Sequence, residues 1–388
     1  MLEPPSTILP QKPYGLVSLC LTYFRNYKQL RLACDTRSVL LTGPNGSGKT
    51  NVLEAISFLS SSKGLHQAPL GEILTTTAPP FSHWSVSAQI QTPSGILDLG
   101  TGLEKASWHH PGERRIAKIH HKFAKSLSTF DNILWLLWLT PAMDRIFVDA
   151  LHKRRKFFDH LVGGLFPKHK TLCVRYKVLL KERMRVLLTR PSDNAWLSAL
   201  EKRLAHVGVQ ITIARHNFLK LLTPILPTTP APFPSPAIRL HETYDQQDAS
   251  EEVLSAAFEK SRVQDTQTGS TAFGPHRTEW DVRFIAKDLP AAACSTGEQK
   301  ALLLSIILAT ACIYRAHRQS VPLLLLDDFA AHLDAHKQAV LWETLKDLSI
   351  QTWFTGVTSP HFSATNTDLQ HFVVERGICT PSSFAREL

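Results

Sequence analysis

The segment GPNGSGKT, Gly43 to Thr50, sets glycines, a lysine and a hydroxyl in the spacing G-x-x-x-x-G-K-[ST]. The apolar run SVLL precedes it, and the helical pattern NVLEAISFL follows. A glycine-rich turn between strand and helix lets successive backbone N–H groups curl around phosphate oxygens, aided by the positive end of the helix. Gly43, Pro44, Asn45, Gly46, Ser47, Gly48, Lys49 and Thr50 are therefore the expected ATP-binding residues. Lys49 would reach the β- and γ-phosphates and Thr50 would hold Mg²⁺.

A second stretch, LLLLDDFAAHLD from Leu323 to Asp334, reads as a buried strand that delivers acids to a sheet edge. Asp327 is expected to hold Mg²⁺ close to Thr50. Asp328 fills the position at which many ATPases place a glutamate to polarise the attacking water. Its side chain is one methylene shorter, and general-base efficiency depends on hydrogen-bond reach. Asp328 and Lys49 are the candidate catalytic residues, and hydrolysis is expected to be slow, with ATP acting more as a switch than as a fuel. Upstream lies STGEQKALLLSIILA, Ser295 to Ala309, a polar turn that opens an apolar helix.

That order of phosphate loop, polar turn and acid-ended strand resembles the ABC-type ATPase heads of the SMC and Rad50 class. The resemblance narrows to the RecF family of recombination mediators through FRNY at Phe24 to Tyr27, LTPAMDRIF at Leu139 to Phe147 and KRRKFFDHLV at Lys153 to Val162. TAFGPHRTEWDV at Thr271 to Val282, STGEQK and DDFAAHLD complete the series. The likeness implies that Ser295, Gly297 and Glu298 meet the γ-phosphate bound by a second subunit, in an ATP-dependent homodimer. It also implies double-stranded and single-stranded DNA as partners, at gaps or junctions, a role in loading recombinase, and RecR and RecO as fellow mediators. The chain departs from the family where SKGLHQ puts Lys63 and His66 in place of arginines. It departs again where Val357 and Thr358 stand at the position of a switch histidine; His361, a little beyond, is not assigned that role.

The elements around these residues give an α/β expectation: an ABC-type P-loop ATPase head with an inserted helical arm. Tyr14 to Leu32 alternates like two strands joined near FRNY, and SHWSVSAQIQTPSGILDLGTGLE reads as a meander with a PSG turn. From Ala142 to Leu222 apolar residues recur three and four apart. Thr223 to Leu240 holds six prolines and reads as an extended connector. The expected division is 1–141 for the first part of the head, 142–265 for the arm and 266–388 for the rest of the head. No internal repeat is evident.

With 43% hydrophobic and 20% charged residues, the chain has the composition of a folded protein rather than a disordered one. Its formal charge of +10 is regional: Leu151 to Lys220 holds 16 Lys and Arg against 4 Asp and Glu, so the remainder is slightly acidic. Lys153, Arg154, Arg155 and Lys156 are the first candidates for DNA phosphate contacts, with Lys63 beside the phosphate loop. Arg175, Lys177, Lys181, Arg183 and Arg185 come next. Arg154 and Arg155 could instead pair with acids to hold the arm. His276 and Arg277 either line a ligand face or brace their Gly-Pro turn. The six cysteines show no metal-binding spacing and are expected to be small buried hydrophobes in a cytoplasmic protein. ALLLSIILATACIY reads as a buried helix, so no membrane is expected. A Rad50-like, nuclease-associated ATPase would need long heptad arms with a zinc-hook cysteine pair. A transporter's nucleotide-binding subunit does not suit the basic insertion.

Overall fold

The N-terminal alternation becomes a hairpin, with β1 (Gly15–Phe24) and β2 (Tyr27–Ala33) antiparallel and Phe24 opposite Tyr27. The structure is a computed structural model and describes residues 14–104, 113–244, 250–317, 322–330, 333–357 and 368–382. After the hairpin come β3 (Ser38–Thr42), α1 (Lys49–Ser57), β4 (Ser85–Thr92), β5 (Gly95–Glu104), β6 (Arg114–Ile119) and β7 (Lys122–Phe123). Residues of β4 alternate between exposed and buried, as in a strand with one face in water. By contrast β3 is buried at every position, the pattern of a strand covered on both faces.

A short α2 (Ser128–Ile133) leads into β8 (Leu136–Leu139), and the chain then becomes helical with α3 (Leu151–Leu165), α4 (Lys168–Thr189) and α5 (Asn194–Leu222). Helix α4 contains no glycine or proline, and Tyr176, Leu179, Arg183, Val186 and Leu187 form its buried stripe. The proline-rich connector is only partly extended. Leu226–Thr228 makes a 3₁₀ turn, and β9 (Pro236–His241) ends it as an edge strand. Pro236 is the first residue of that strand, where the missing N–H costs least.

Two short helices, α6 (Glu251–Lys260) and α7 (Arg262–Thr268), precede β10 (Glu279–Phe284) and β11 (Leu289–Pro290), which with β9 make a three-stranded sheet. The long α8 (Thr296–His317) is the described helix long and apolar enough to cross a bilayer, but 78% of its apolar window is buried in protein. The last described elements are β12 (Leu323–Leu326), α9 (Ala335–Asp347), β13 (Thr352–Gly356), β14 (Leu369–Glu375) and β15 (Ile378–Pro381).

These elements form two units, one from 1–144, 230–233 and 311–388 and the other from 145–229 and 234–310. The first unit holds an antiparallel sheet ordered β2-β1-β4-β5-β6-β7 and a sheet ordered β15-β14-β3-β13-β12-β8. In the second of these sheets β14, β3, β13, β12 and β8 run parallel. Phe24, Phe58 and Trp84 meet at ring separations of 5.9, 5.8 and 5.3 Å in the core of this unit. In the second unit α4, α5 and α6 pack through Leu179, Val186, Leu204, Ile211, Leu254 and Phe258, while Trp280 of β10 stacks on Phe158 of α3 at 5.5 Å. The unit also takes in the STGEQ turn and the start of α8. Among the cysteines Cys294 is buried and the other five are half-buried, so full burial holds for one alone.

Candidate functional site

In the parallel sheet β13 lies between β3 and β12, which brings the carboxyl ends of three strands side by side. The loop Gly43–Gly48 leaves β3 there, Asp327 and Asp328 leave β12, and Thr355 and Gly356 close β13. Ligands of open parallel sheets gather at that end. A cavity of about 260 Å³ opens between them, lined by Gly46, Gly48, Lys49, Thr50, Asp327 and Asp328 together with Thr355, Gly356 and Val357. It is smaller than a typical whole-ligand pocket, roughly 300–1,000 Å³, and is suited to the phosphate end of a nucleotide.

Thr50 donates its hydroxyl to Asp327 Oδ1 at 2.8 Å, across 277 residues of sequence. Lys49 donates Nζ to the carbonyls of Gly43 at 2.7 Å and Pro44 at 2.9 Å, and burial lowers its pKa. The donor set of the Thr50 hydroxyl and the Asp327 carboxylate is all oxygen, which fits Mg²⁺. Two glycines of the loop admit no side chain. At Gly43 (φ +147°) a Cβ would lie 2.1 Å from Val374 O, and at Gly48 (φ +116°) it would lie 2.5 Å from Asn26 Nδ2 and 2.7 Å from Tyr27 Oη.

The hairpin turn FRNY braces this loop, a role its sequence does not announce. Asn26 Nδ2 donates to Ser47 O at 3.0 Å and Tyr27 Oη donates to Gly48 O at 3.0 Å, while Gly377 N–H also reaches Ser47 O at 3.3 Å. Carbonyls drawn toward these donors turn the neighbouring N–H groups the other way, toward the phosphate position. Arg25 grips the buried Glu54 of α1 with Nε at 2.7 Å and Nη2 at 2.8 Å. Thr355 belongs to no motif either. Its hydroxyl donates to Asp327 Oδ1 at 2.7 Å and accepts the Asp328 N–H at 2.8 Å. Val357, one of the two residues at which a switch histidine is expected from the resemblance, lines the cavity as an apolar side chain. Thr358 and His361 lie outside the described residues, as do Ala331 and His332 of the DDFAAHLD block.

The polar turn at Ser295 belongs to the second unit. Ser295 caps α8 reciprocally with Glu298: Ser295 N–H and Oγ each donate to Glu298 Oε2 at 2.9 Å, and Glu298 N–H returns to Ser295 Oγ at 3.4 Å. Lys287 also donates to Glu298, and that bond, with those from Ser295, holds the carboxyl down at about 2. Ser295 is exposed and Gly297 half-buried.

The basic residues divide sharply. Arg154 forms an ion pair with Glu279, and Arg155 is half-buried and donates to Thr278 O at 3.3 Å. Both thus brace α3 against the neighbouring strand of the second unit. Lys153 is exposed and pairs with Asp149 at 3.0 Å, and Lys156 and Lys63 are exposed. Arg183 corrects the expectation of a surface cation: it is fully buried, bonding Glu201 at 3.0 Å and Asp265 at 2.7 Å, because it falls on the apolar stripe of α4. Arg175, Lys177, Lys181 and Arg185 lie on the outward side of that helix, all exposed. His276 braces its turn, with Nε2 donating to Thr271 O at 3.0 Å and Nδ1 accepting from Tyr176 Oη at 3.3 Å.

One cluster has metal-ligand residue types. Asp159, His169 and Cys173 converge within 4.8 Å. Arg215 already occupies both Asp159 oxygens, at 2.8 and 3.0 Å, and repels a further cation. Burial alone would raise the Asp159 pKa, but Arg215 and His169 outweigh it and hold the group below the usual carboxylate range.

Residues 38–96 match a family model described as "AAA domain, putative AbiEii toxin, Type IV TA system". Along almost its whole length the chain is similar to proteins named DNA replication and repair protein RecF. That of Rhizobium rhizogenes (strain K84 / ATCC BAA-868) is 36% identical over 381 residues, covering 96% of this chain and 100% of the relative. That of Rhizobium johnstonii is 37% identical over 379 residues, with 95% and 99% covered. Among solved structures, the recombination mediator protein RecF with ATP superposes with a TM-score of 0.82 at 20% identity, covering 96% of this chain and 99% of that one. An Smc head domain from Pyrococcus furiosus, bound to the C-terminal domain of ScpA, gives 0.55 at 14% identity, with 95% and 96% covered. The fold is that of an ABC-type ATPase head.

Proposed function

This chain belongs to the RecF family of DNA replication and repair ATPases that mediate recombination, and we propose that it closes on DNA as an ATP-bound homodimer. The observation that carries the reading is the Thr50–Asp327 hydrogen bond of 2.8 Å beside Lys49, which joins the phosphate loop to the acid pair in one cavity. Backbone N–H groups of Gly46 to Thr50 and the Lys49 ammonium would take the phosphates. Thr50 and Asp327 would hold Mg²⁺, which when bound neutralises phosphate charge. Asp328 would accept a proton from the attacking water. Its short side chain, with Val357 and Thr358 standing where a switch histidine would be, favours slow hydrolysis that resets a clamp over rapid turnover.

Ser295, Gly297 and Glu298 of one protomer would then meet the γ-phosphate held by its partner. The segment 142–265 would act as the arm and the remainder as the head. DNA would be engaged through phosphates, at gaps or at junctions of single and double strands, to help load recombinase with RecR and RecO in the cytoplasm. Lys153, Lys156 and Lys63, joined by the outward face of α4, are the proposed contacts. DNA would also stimulate the weak ATPase.

Sedimentation tests the dimer. Wild-type protein should shift to a dimer with ATP and not with ADP. Ser295→Arg should remain monomeric while binding a fluorescent ATP analogue normally. An ATP-induced dimer of Ser295→Arg would exclude the shared site.

A further inference from the structure

The acid pair raises a geometric problem. Asp328 adopts φ +45°, a left-handed conformation that costs a residue other than glycine on the order of 1 kcal/mol or more. Something must hold it, because the direction of the Asp328 carboxylate depends on that backbone turn. One holder is Thr355, which is buried at the carboxyl end of β13, next to Phe354 and opposite Leu41 of β3. A threonine hydroxyl has one proton to give and lone pairs to receive. Here the proton goes to Asp327 Oδ1 and a lone pair takes the Asp328 N–H.

We propose that Thr355 is a positioning residue for ATP hydrolysis, its hydroxyl tying the metal-side acid Asp327 to the backbone of Asp328. The inference rests on the nucleotide reading above and deepens it. Asp327 Oδ1 receives two hydroxyls, one from the phosphate-loop helix through Thr50 and one from β13 through Thr355. Both acids are therefore referenced to a strand that neither occupies. Hydrogen-bond partners of metal-holding carboxylates set the orientation and basicity of those ligands.

The test compares Thr355→Val, which keeps the shape and removes the hydroxyl, with Thr355→Ser, which keeps the hydroxyl. Two readouts are taken on the full chain: single-turnover ATP hydrolysis, and the Mg²⁺ midpoint for binding a fluorescent ATP analogue. Thr355→Val should slow hydrolysis by about 10- to 100-fold and raise the Mg²⁺ midpoint about tenfold. Its affinity for the analogue without metal should stay within about twofold, because no group that touches the phosphates has changed. Thr355→Ser should stay within about threefold of wild type in both readouts. Wild-type behaviour of Thr355→Val would overturn the proposal, and so would a Thr355→Ser as impaired as the valine variant, since packing would then explain both. Absence of hydrolysis in the wild type would overturn the hydrolytic reading instead, and the Mg²⁺ midpoints would still decide the role of Thr355.

Discussion

Tyr27 and Asn26 show how the phosphate loop depends on residues outside it. Each holds one loop carbonyl, Gly48 O and Ser47 O, and so sets the direction of the Lys49 and Gly48 N–H groups on the same peptides. Removing the Tyr27 hydroxyl deletes one such bond, a loss of about 0.5–1.5 kcal/mol. Tyr27→Phe should therefore weaken ATP-analogue binding by roughly 3- to 10-fold while the protein melts as a folded domain; unchanged affinity would mean that the loop holds its own shape. The phosphate loop and Asp327 were legible in the sequence because each is a contiguous motif with its flanking strand or helix attached. Thr355 and Tyr27 were not, because their roles arise from strand register. Thr355 lies 28 residues from Asp327 and Tyr27 lies 21 from Gly48, and neither spacing has a signature.

Elements of the second unit are locked by buried charge. Arg183 of α4 bonds Glu201 of α5, Asp265 of α7 and Phe258 O of α6, the last at 2.6 Å. Losing one partner of such a set is costly because a charge stays buried without compensation. His276 adds a pH dependence. Burial, with nearby Arg277 and Arg155, lowers its pKa from 6.5 to about 4. The unfolded chain therefore binds the proton more readily, so this stabilisation is complete above pH 6.5 and is lost as pH falls toward 4. The melting temperature of the wild type should fall across that window. His276→Gln should fall less steeply, and equal slopes would exclude His276 as the cause. Periodicity located the helices of this unit but not their partners. Arg183 looked like one more surface cation because its charge hid the fact that it shares a helical stripe with Tyr176, Leu179 and Val186. The proline-rich connector hid β9 for a different reason, since its pairing with β10 spans roughly forty residues.

At the scale of the molecule, the sequence located a surplus of positive charge between Leu151 and Lys220 but could not say where it pointed. Folding sorts it. Arg154, Arg155, Arg183 and Arg215 are committed to internal partners, whereas Arg175, Lys177, Lys181 and Arg185 share the outward side of α4. A phosphate backbone lying on such a face would be held without base reading, and the contact would weaken as salt rises. Membership of the RecF family makes DNA the expected partner of the protein, and the outward side of α4 is the proposed place of contact.

Anisotropy of a labelled gapped duplex, titrated in ATP, in ADP and without nucleotide at two salt concentrations, tests the ATP-gated clamp most directly. Such a clamp should bind tightly with ATP alone. That binding should weaken steeply with salt, and replacing Arg175, Lys177, Lys181 and Arg185 together by glutamine should flatten the salt slope by about 3 to 4 log units per decade. Equal binding in all three nucleotide states would contradict the gating, because the basic surface would then act without the site formed by Lys49, Thr50 and the acid pair.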